Sequence, residues 1–142
     1  RQNLPILENS SFEKVAKGAY VVYETAADFD TILIATGSEV ALAIDVAREL
    51  ETDGSKVRVV SMPSVELFEE QSKEYKEELL PRSVRRRVSL EMGNTALWYK
   101  YVGLDGLAIG IDNFGASAPA NKVIEEYGFT VAKVVERIKN EL

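Results

Sequence analysis

A run of five residues with no polar face, Thr31-Ile32-Leu33-Ile34-Ala35, leads directly into a turn and a stretch of helical period, and this constrains the chain more than any other feature. A strand that is apolar on both sides has to be covered on both sides, as a central strand layered between helices is. Thr36, Gly37 and Ser38 then turn the chain, with Ser38 placed to cap the next helix and Glu39 favourable beside its positive end. In that helix Val40, Ala43, Ile44, Ala47 and Leu50 recur at three and four residues, while Asp45, Arg48 and Glu49 mark the wet face. Gly54 provides a left-handed stop, and the β-branched run Val57 to Ser61 follows at once. This is the pattern of a right-handed βαβ crossover.

The same alternation runs along the rest of the chain. Further strands are predicted at Tyr20 to Glu24, Arg87 to Glu91 and Leu107 to Ile111. A helical stretch starts at Ser64, carries an apolar stripe of Val65, Phe68, Tyr75 and Leu79 with one irregular turn, and stops at Pro81. A short helix is predicted around Ala96 to Tyr101, another opens at Ser117 and Pro119 and stops at Gly128, and the last buries Val131, Val134, Val135, Ile138 and Leu142. Strands alternating with helices specify an α/β domain on a largely parallel sheet. Its expected core includes Ile32, Ile34, Val40, Ile44, Val57, Val59, Val134 and Ile138. With 142 residues and no internal repeat or low-complexity tract, the chain reads as one domain, and Arg1 to Ser11 is the one linker candidate.

Composition removes much chemistry. There is no Cys and no His, which excludes thiol nucleophiles, imidazole general bases and zinc sites of the Cys or His type. The longest apolar run, Val40 to Ile44, is far below the roughly 18 residues of a membrane span. No signal-like stretch opens the chain, and it begins with Arg, so a cytoplasmic piece of a longer protein is expected.

Each remaining signal has a plain structural explanation beside a functional one. Thr36-Gly37-Ser38-Glu39 stands where α/β sheets bind ligands, yet it lacks a dinucleotide or phosphate-loop fingerprint and reads as helix capping. Arg82, Arg85, Arg86 and Arg87 form a basic cluster, but the chain carries a net charge of −6 and no interleaved aromatic ladder, so nucleic acid is not expected and a solvated or intersubunit patch is. Glu91, Asp105 and Asp112 fall near strand ends without spacing that makes a pair, as surface or capping carboxylates do. Trp98, Tyr99 and Tyr101 read as core or subunit contact, and Phe114 to Pro119 as a strand-to-helix connection.

Specific strings take the reading further. Arg1-Gln2-Asn3-Leu4-Pro5, Ala35 to Val40, Val59-Val60-Ser61-Met62-Pro63-Ser64, the Leu79-Leu80-Pro81 stop, Trp98 to Gly103 and Phe114 to Pro119, in this order and at these separations, resemble the C-terminal domain of the transketolase family over essentially the whole chain. The resemblance implies a three-layer α/β domain with a five-stranded, mostly parallel mixed sheet in which Tyr20 to Glu24 runs against the other strands. It implies that residues 1–11 link a preceding pyrimidine-binding domain to a C-terminal domain at 12–142. It also implies ketol transfer between sugar phosphates with thiamine diphosphate and a divalent cation, Mg or Ca, held by other domains across a homodimer interface. Catalytic, cofactor-binding and metal-binding residues are not expected in this chain, which then supports structure and the dimer without autonomous catalysis. Arg1 is the position that matches a family arginine binding the substrate's phosphate, a task suited to a guanidinium fork. The alternative reading is a regulatory module that binds a small anion in a crevice near Gly37 and Gly115.

Overall fold

Residues 12–111 and 128–142 are described in the computed structural model. They form a five-stranded sheet of β1 (Tyr20–Glu24), β2 (Thr31–Ala35), β3 (Val57–Ser61), β4 (Arg86–Leu90) and β5 (Leu107–Ile109) in the order β1-β3-β2-β4-β5. The two-sided apolar strand β2 lies at the centre, pairing in parallel with β3 and β4, and β4 pairs in parallel with β5. β1 is antiparallel to β3, as expected, with an irregularity between Val21 and Tyr23.

Side-chain alternation then divides the interior in two. On one face Leu33, Ala35, Val57, Val59, Val88 and Leu90 meet the apolar stripes of α2 (Glu39–Glu51) and a C-terminal helix, here α6 (Val131–Glu141). On the other, Ile32, Ile34, Val60 and Ala108 meet α3 (Val65–Glu69), α4 (Lys73–Leu79) and α5 (Tyr99–Val102), the last preceded by a 3-10 turn at Ala96–Trp98. A further single turn, α1 (Phe12–Val15), precedes β1. All eight expected core residues are buried. Each fully buried Leu, Ile or Phe side chain contributes about 1.5–3 kcal/mol.

Four local expectations need correction. The stretch after Ser64 is two helices, because Ser72 adopts an extended backbone and its hydroxyl accepts from the Tyr75 amide, starting α4 afresh. β4 spans Arg86–Leu90 and not Arg87 to Glu91, although the Glu91 amide still donates to the Ile109 carbonyl. β5 ends at Ile109, and the Ile111 amide turns instead to the Gly93 carbonyl. Ser38 occupies the N-cap position of α2 with helical backbone angles and makes no capping bond. Its hydroxyl donates to the Glu39 carboxylate at 2.9 Å. By contrast Gly54, at φ +91°, ends α2 as expected, with the Ser55 amide returning to the Leu50 carbonyl. The helix expected between Ser117 and Gly128 lies outside the described residues.

Candidate functional site

The chain leaves β2 through α2 to reach β3 on one side, then crosses by α3 and α4 to β4 on the other side of β2. Connections therefore diverge between β2 and β4, and the crevice beyond their carboxyl ends is where an open α/β sheet places a ligand. Register puts Ala35 opposite Leu90, so Thr36 to Glu39 and Glu91 to Thr95 form the two lips.

Two backbone amides of the first lip are already engaged. The Glu39 amide donates to Thr36 and the Val40 amide to Gly37, both at 3.3 Å, with Gly37 at φ +61°. On the opposite lip Asn94 accepts from the Ala96 amide at 2.8 Å. A Cβ at Gly110 would lie 2.5 Å from the Gly93 carbonyl oxygen, so the end of β5 approaches this lip as only glycine permits.

The charge in the crevice is acidic. Glu39 is 8% exposed, and burial, reinforced by the nearby charge of Glu91, raises its pKa above the ordinary value against the lowering effect of the Ser38 hydroxyl. Glu91 in turn accepts weakly from the Trp98 indole at 3.4 Å. Such an arrangement favours hydrogen-bond donors and repels anions. The pairing of Glu39 with Glu91 was missed in the sequence, since it depends on β2 and β4 being neighbours.

The other expected positions separate. Asp105 precedes β5, at the opposite end of the sheet from Glu91, and pairs with Arg85 at 2.7 Å on the surface. Arg1, Asp112, Gly115 and the Phe114 to Pro119 connection lie outside the described residues. Of the basic cluster, Arg82, Arg85 and Arg87 line one surface pocket with Lys100 and Asp105, and Arg86 turns away from it. Arg82 faces Glu77 at 3.7 Å, and Arg86 reaches the hydroxyls of Thr31 and Ser55. Arg87 is half-buried and donates to four carbonyls, those of Val84, Tyr101, Leu80 and Pro81, at 2.8–3.1 Å. Arg58 adds bonds to the Glu78 and Leu79 carbonyls, so two strand arginines cap the negative end of α4.

The aromatic group is mostly core. Trp98 and Tyr101 are buried and Tyr99 is exposed. Phe68 packs edge-on against Tyr101 and Tyr75, with centroids 6.0 and 6.4 Å apart. Hydrogen bonds from Tyr101 and then Lys100, with Lys76 adding to them, hold the Glu69 carboxyl down at about 2. Burial and that same carboxylate push the Tyr101 hydroxyl up. Among the described residues no group of three or more Asp, Glu, His or Cys could hold a metal ion. Nor is any described helix long and apolar enough to cross a membrane.

Comparison with known proteins places this architecture. Residues 18–130 match the model of the transketolase-like C-terminal domain. A probable transketolase of Streptococcus pneumoniae is 64% identical over 140 residues, covering 99% of this chain and 21% of that protein. The transketolase of Bacillus subtilis is 52% identical over 143 residues, covering 98% and 21%. A crystal structure of Pichia stipitis transketolase in complex with sedoheptulose 7-phosphate superposes with a TM-score of 0.89 at 41% identity, covering 99% of this chain and 20% of that one. The chain thus spans about a fifth of the length of the curated relatives it matches. It belongs to the transketolase family, as a C-terminal domain.

Proposed function

We propose that this domain is part of an enzyme that transfers a two-carbon ketol unit between sugar phosphates, and that it acts there as a structural element supporting the dimer. The observation that carries this reading is the similarity of nearly the whole chain, at 64% identity, to a probable transketolase. Thiamine diphosphate, with a divalent cation, would supply the carbanion-stabilising chemistry when bound. No described cluster fits the cation, and no step is assigned to these residues on its behalf. This reading places cofactor and cation in the remaining four-fifths of the polypeptide, across the interface of a homodimer in the cytoplasm, with this domain supporting that dimer. The acidic lips at Glu39 and Glu91 disfavour the alternative of a small anionic regulator beside Gly37.

Arg1 is the one residue of this chain to which the reading gives contact with substrate, at the phosphate of the sugar. The test is steady-state kinetics of the full-length enzyme with xylulose 5-phosphate as donor. Arg1→Ala should lower kcat/KM for ribose 5-phosphate by roughly ten- to a hundredfold, the size of one charge-assisted bond of about 1.5–3 kcal/mol, and nearly spare glycolaldehyde, which has no phosphate. Equal losses for both acceptors would remove Arg1 from the substrate. Absence of ketol transfer by the full-length wild-type protein would overturn the functional reading itself.

A further inference from the structure

We propose that the exposed apolar ledge formed by α1 and the first turn of α3 is the seat of the portion of the polypeptide that precedes this domain. α1 is four residues long and none of them is buried. Phe12 is 92% exposed, Val15 41% and Leu67 39%. Phe12 and Val15 stand three residues apart on one face of the turn.

A single helical turn in water has no stability of its own, so something has to hold it. The domain holds its carboxyl end, while Phe12 at its start stands clear of the core. The chain leaves α1 through Gly18, at φ +84°, where a Cβ would lie 2.3 Å from the Phe68 nitrogen and 2.4 Å from the Ser64 oxygen. That contact places the exit of α1 against the backbone that carries Leu67. The Ser64 amide donates to the Gly18 carbonyl at 3.1 Å, the Tyr75 hydroxyl donates to the Ala19 carbonyl at 2.6 Å, and the Lys17 ammonium sits 4.7 Å above the Tyr75 ring. The ledge is thus pinned to α3 and α4 at its base while its apolar face, rimmed by Glu13, Lys14 and Glu66, is left to solvent. An exposed apolar group with a polar rim is the form of an interaction site.

Size and position select the occupant. Three side chains fall well short of the roughly 1,200 Å² that a free partner needs for a stable complex. A tethered partner needs much less, because a short linker gives an effective concentration in the millimolar range. The ledge lies where the chain enters the domain, and relatives carry about four-fifths of their length outside the region matched by this C-terminal domain. The inference rests on the reading of the chain as one part of a transketolase polypeptide.

The experiment uses the full-length polypeptide with p-benzoylphenylalanine in place of Phe12. Irradiation and peptide mass mapping should give an intramolecular cross-link to a peptide upstream of Arg1. A product of twice the mass, which would assign the ledge to a second copy, overturns the proposal, as do cross-links to another protein or only within residues 1–142. Phe12→Glu should accelerate tryptic cleavage between this domain and the preceding portion at least tenfold, with Phe12→Leu restoring the wild-type rate, and unchanged cleavage in Phe12→Glu counts against the proposal. Phe12 is exposed, so these changes leave the fold of the domain intact. Ketol transfer by the same wild-type preparation separates the two claims. Transfer without the upstream cross-link sinks only the ledge, whereas its absence sinks the functional reading.

Discussion

On one face of the sheet α2 and α6 cover Leu33, Val57, Val59 and Val88 with almost wholly aliphatic side chains, whereas on the other three short helices are held by rings, guanidinium groups and a carboxylate. The first face needs only amphipathic helices of 13 and 11 residues, which bring their stripes with them. Helices of five, seven and four residues cannot do this. They are nucleated by Ser64 and Ser72, wedged by Phe68, and closed at their carboxyl ends by Arg58 and Arg87. The faces therefore differ in how failure should spread. Loss of one aliphatic contact weakens the first face locally, while loss of one polar staple on the second frees two helices together.

The largest effect is expected at the centre of the second face. Phe68 is 2% exposed and makes edge contacts with both Tyr75 and Tyr101. Phe68→Ala should cost about 3–5 kcal/mol in equilibrium urea unfolding, against about 2–5 kcal/mol for Ile138→Ala on the aliphatic face. A cost below about 2 kcal/mol for Phe68→Ala would mean that the short helices carry little of the stability, and the contrast between the faces would collapse.

Next comes the staple itself. Arg87→Met keeps the stem but abandons carbonyls of the α4 stop, Leu80 and Pro81, and of Tyr101 in α5. Roughly 1.5–3 kcal/mol should be lost, as for hydrogen bonds to a charged group, with Lys recovering only part because it lacks the planar fork. Hydrogen exchange provides the sharper readout: amides of α4 and α5 should lose protection together, and those of α2 should not.

This asymmetry also explains what could be read from sequence. Ile32, Ile34, Val40, Ile44, Val57, Val59, Val134 and Ile138 were legible because period and burial coincide along single elements. The antiparallel direction of β1 came from resemblance, since nothing in Tyr20 to Glu24 itself fixes it. Arg87 reads in sequence as part of a solvated or intersubunit patch because a run of arginines gives no sign that this one folds back on the carbonyls of Leu80, Pro81 and Val84 just upstream and of Tyr101 in α5. Glu39 reads only as a favourable charge at a helix start, since its neighbour Glu91 comes from the end of the strand beside β2. The split at Ser72 was foreshadowed by an irregular turn, but a Ser–Lys–Glu start inside a helical pattern is easily absorbed into the longer helix.

The two faces should also answer pH in opposite senses. Glu69, on the second face, is held down at about 2, chiefly by the Tyr101 hydroxyl, so its contribution is complete above the ordinary value of 4.5 and is lost as pH falls toward about 2. Glu39, heading α2, is raised, chiefly by burial, so it favours the folded state below 4.5 and that advantage disappears as pH rises through its folded value. Glu69→Gln should therefore flatten the acid limb of the thermal midpoint against pH. Glu39→Gln should raise the midpoint at pH 7 relative to pH 4. If both variants shift the curve in the same direction, the opposition between the faces is wrong.

The smallest effects concern two serines that look alike in sequence. Ser72 heads α4 on the second face and accepts from the Tyr75 amide at 3.1 Å, so Ser72→Ala should cost about 0.5–2 kcal/mol, as loss of an N-cap does, with no dependence on pH. Ser38 heads α2 on the first face and makes no cap bond, giving its proton instead to the Glu39 carboxylate at 2.9 Å. Ser38→Ala should accordingly stay within about 0.5 kcal/mol while Glu39 is protonated, the range of an indifferent substitution. Its cost should grow only as Glu39 ionises, because the hydroxyl stabilises the charged form and its loss drives the carboxyl further upward. Melting curves of both variants at pH 4 and pH 7 separate the roles: a pH-independent loss at Ser38 comparable to that at Ser72 would restore the capping role its position suggests, and a loss confined to neutral pH assigns it to the buried carboxylate.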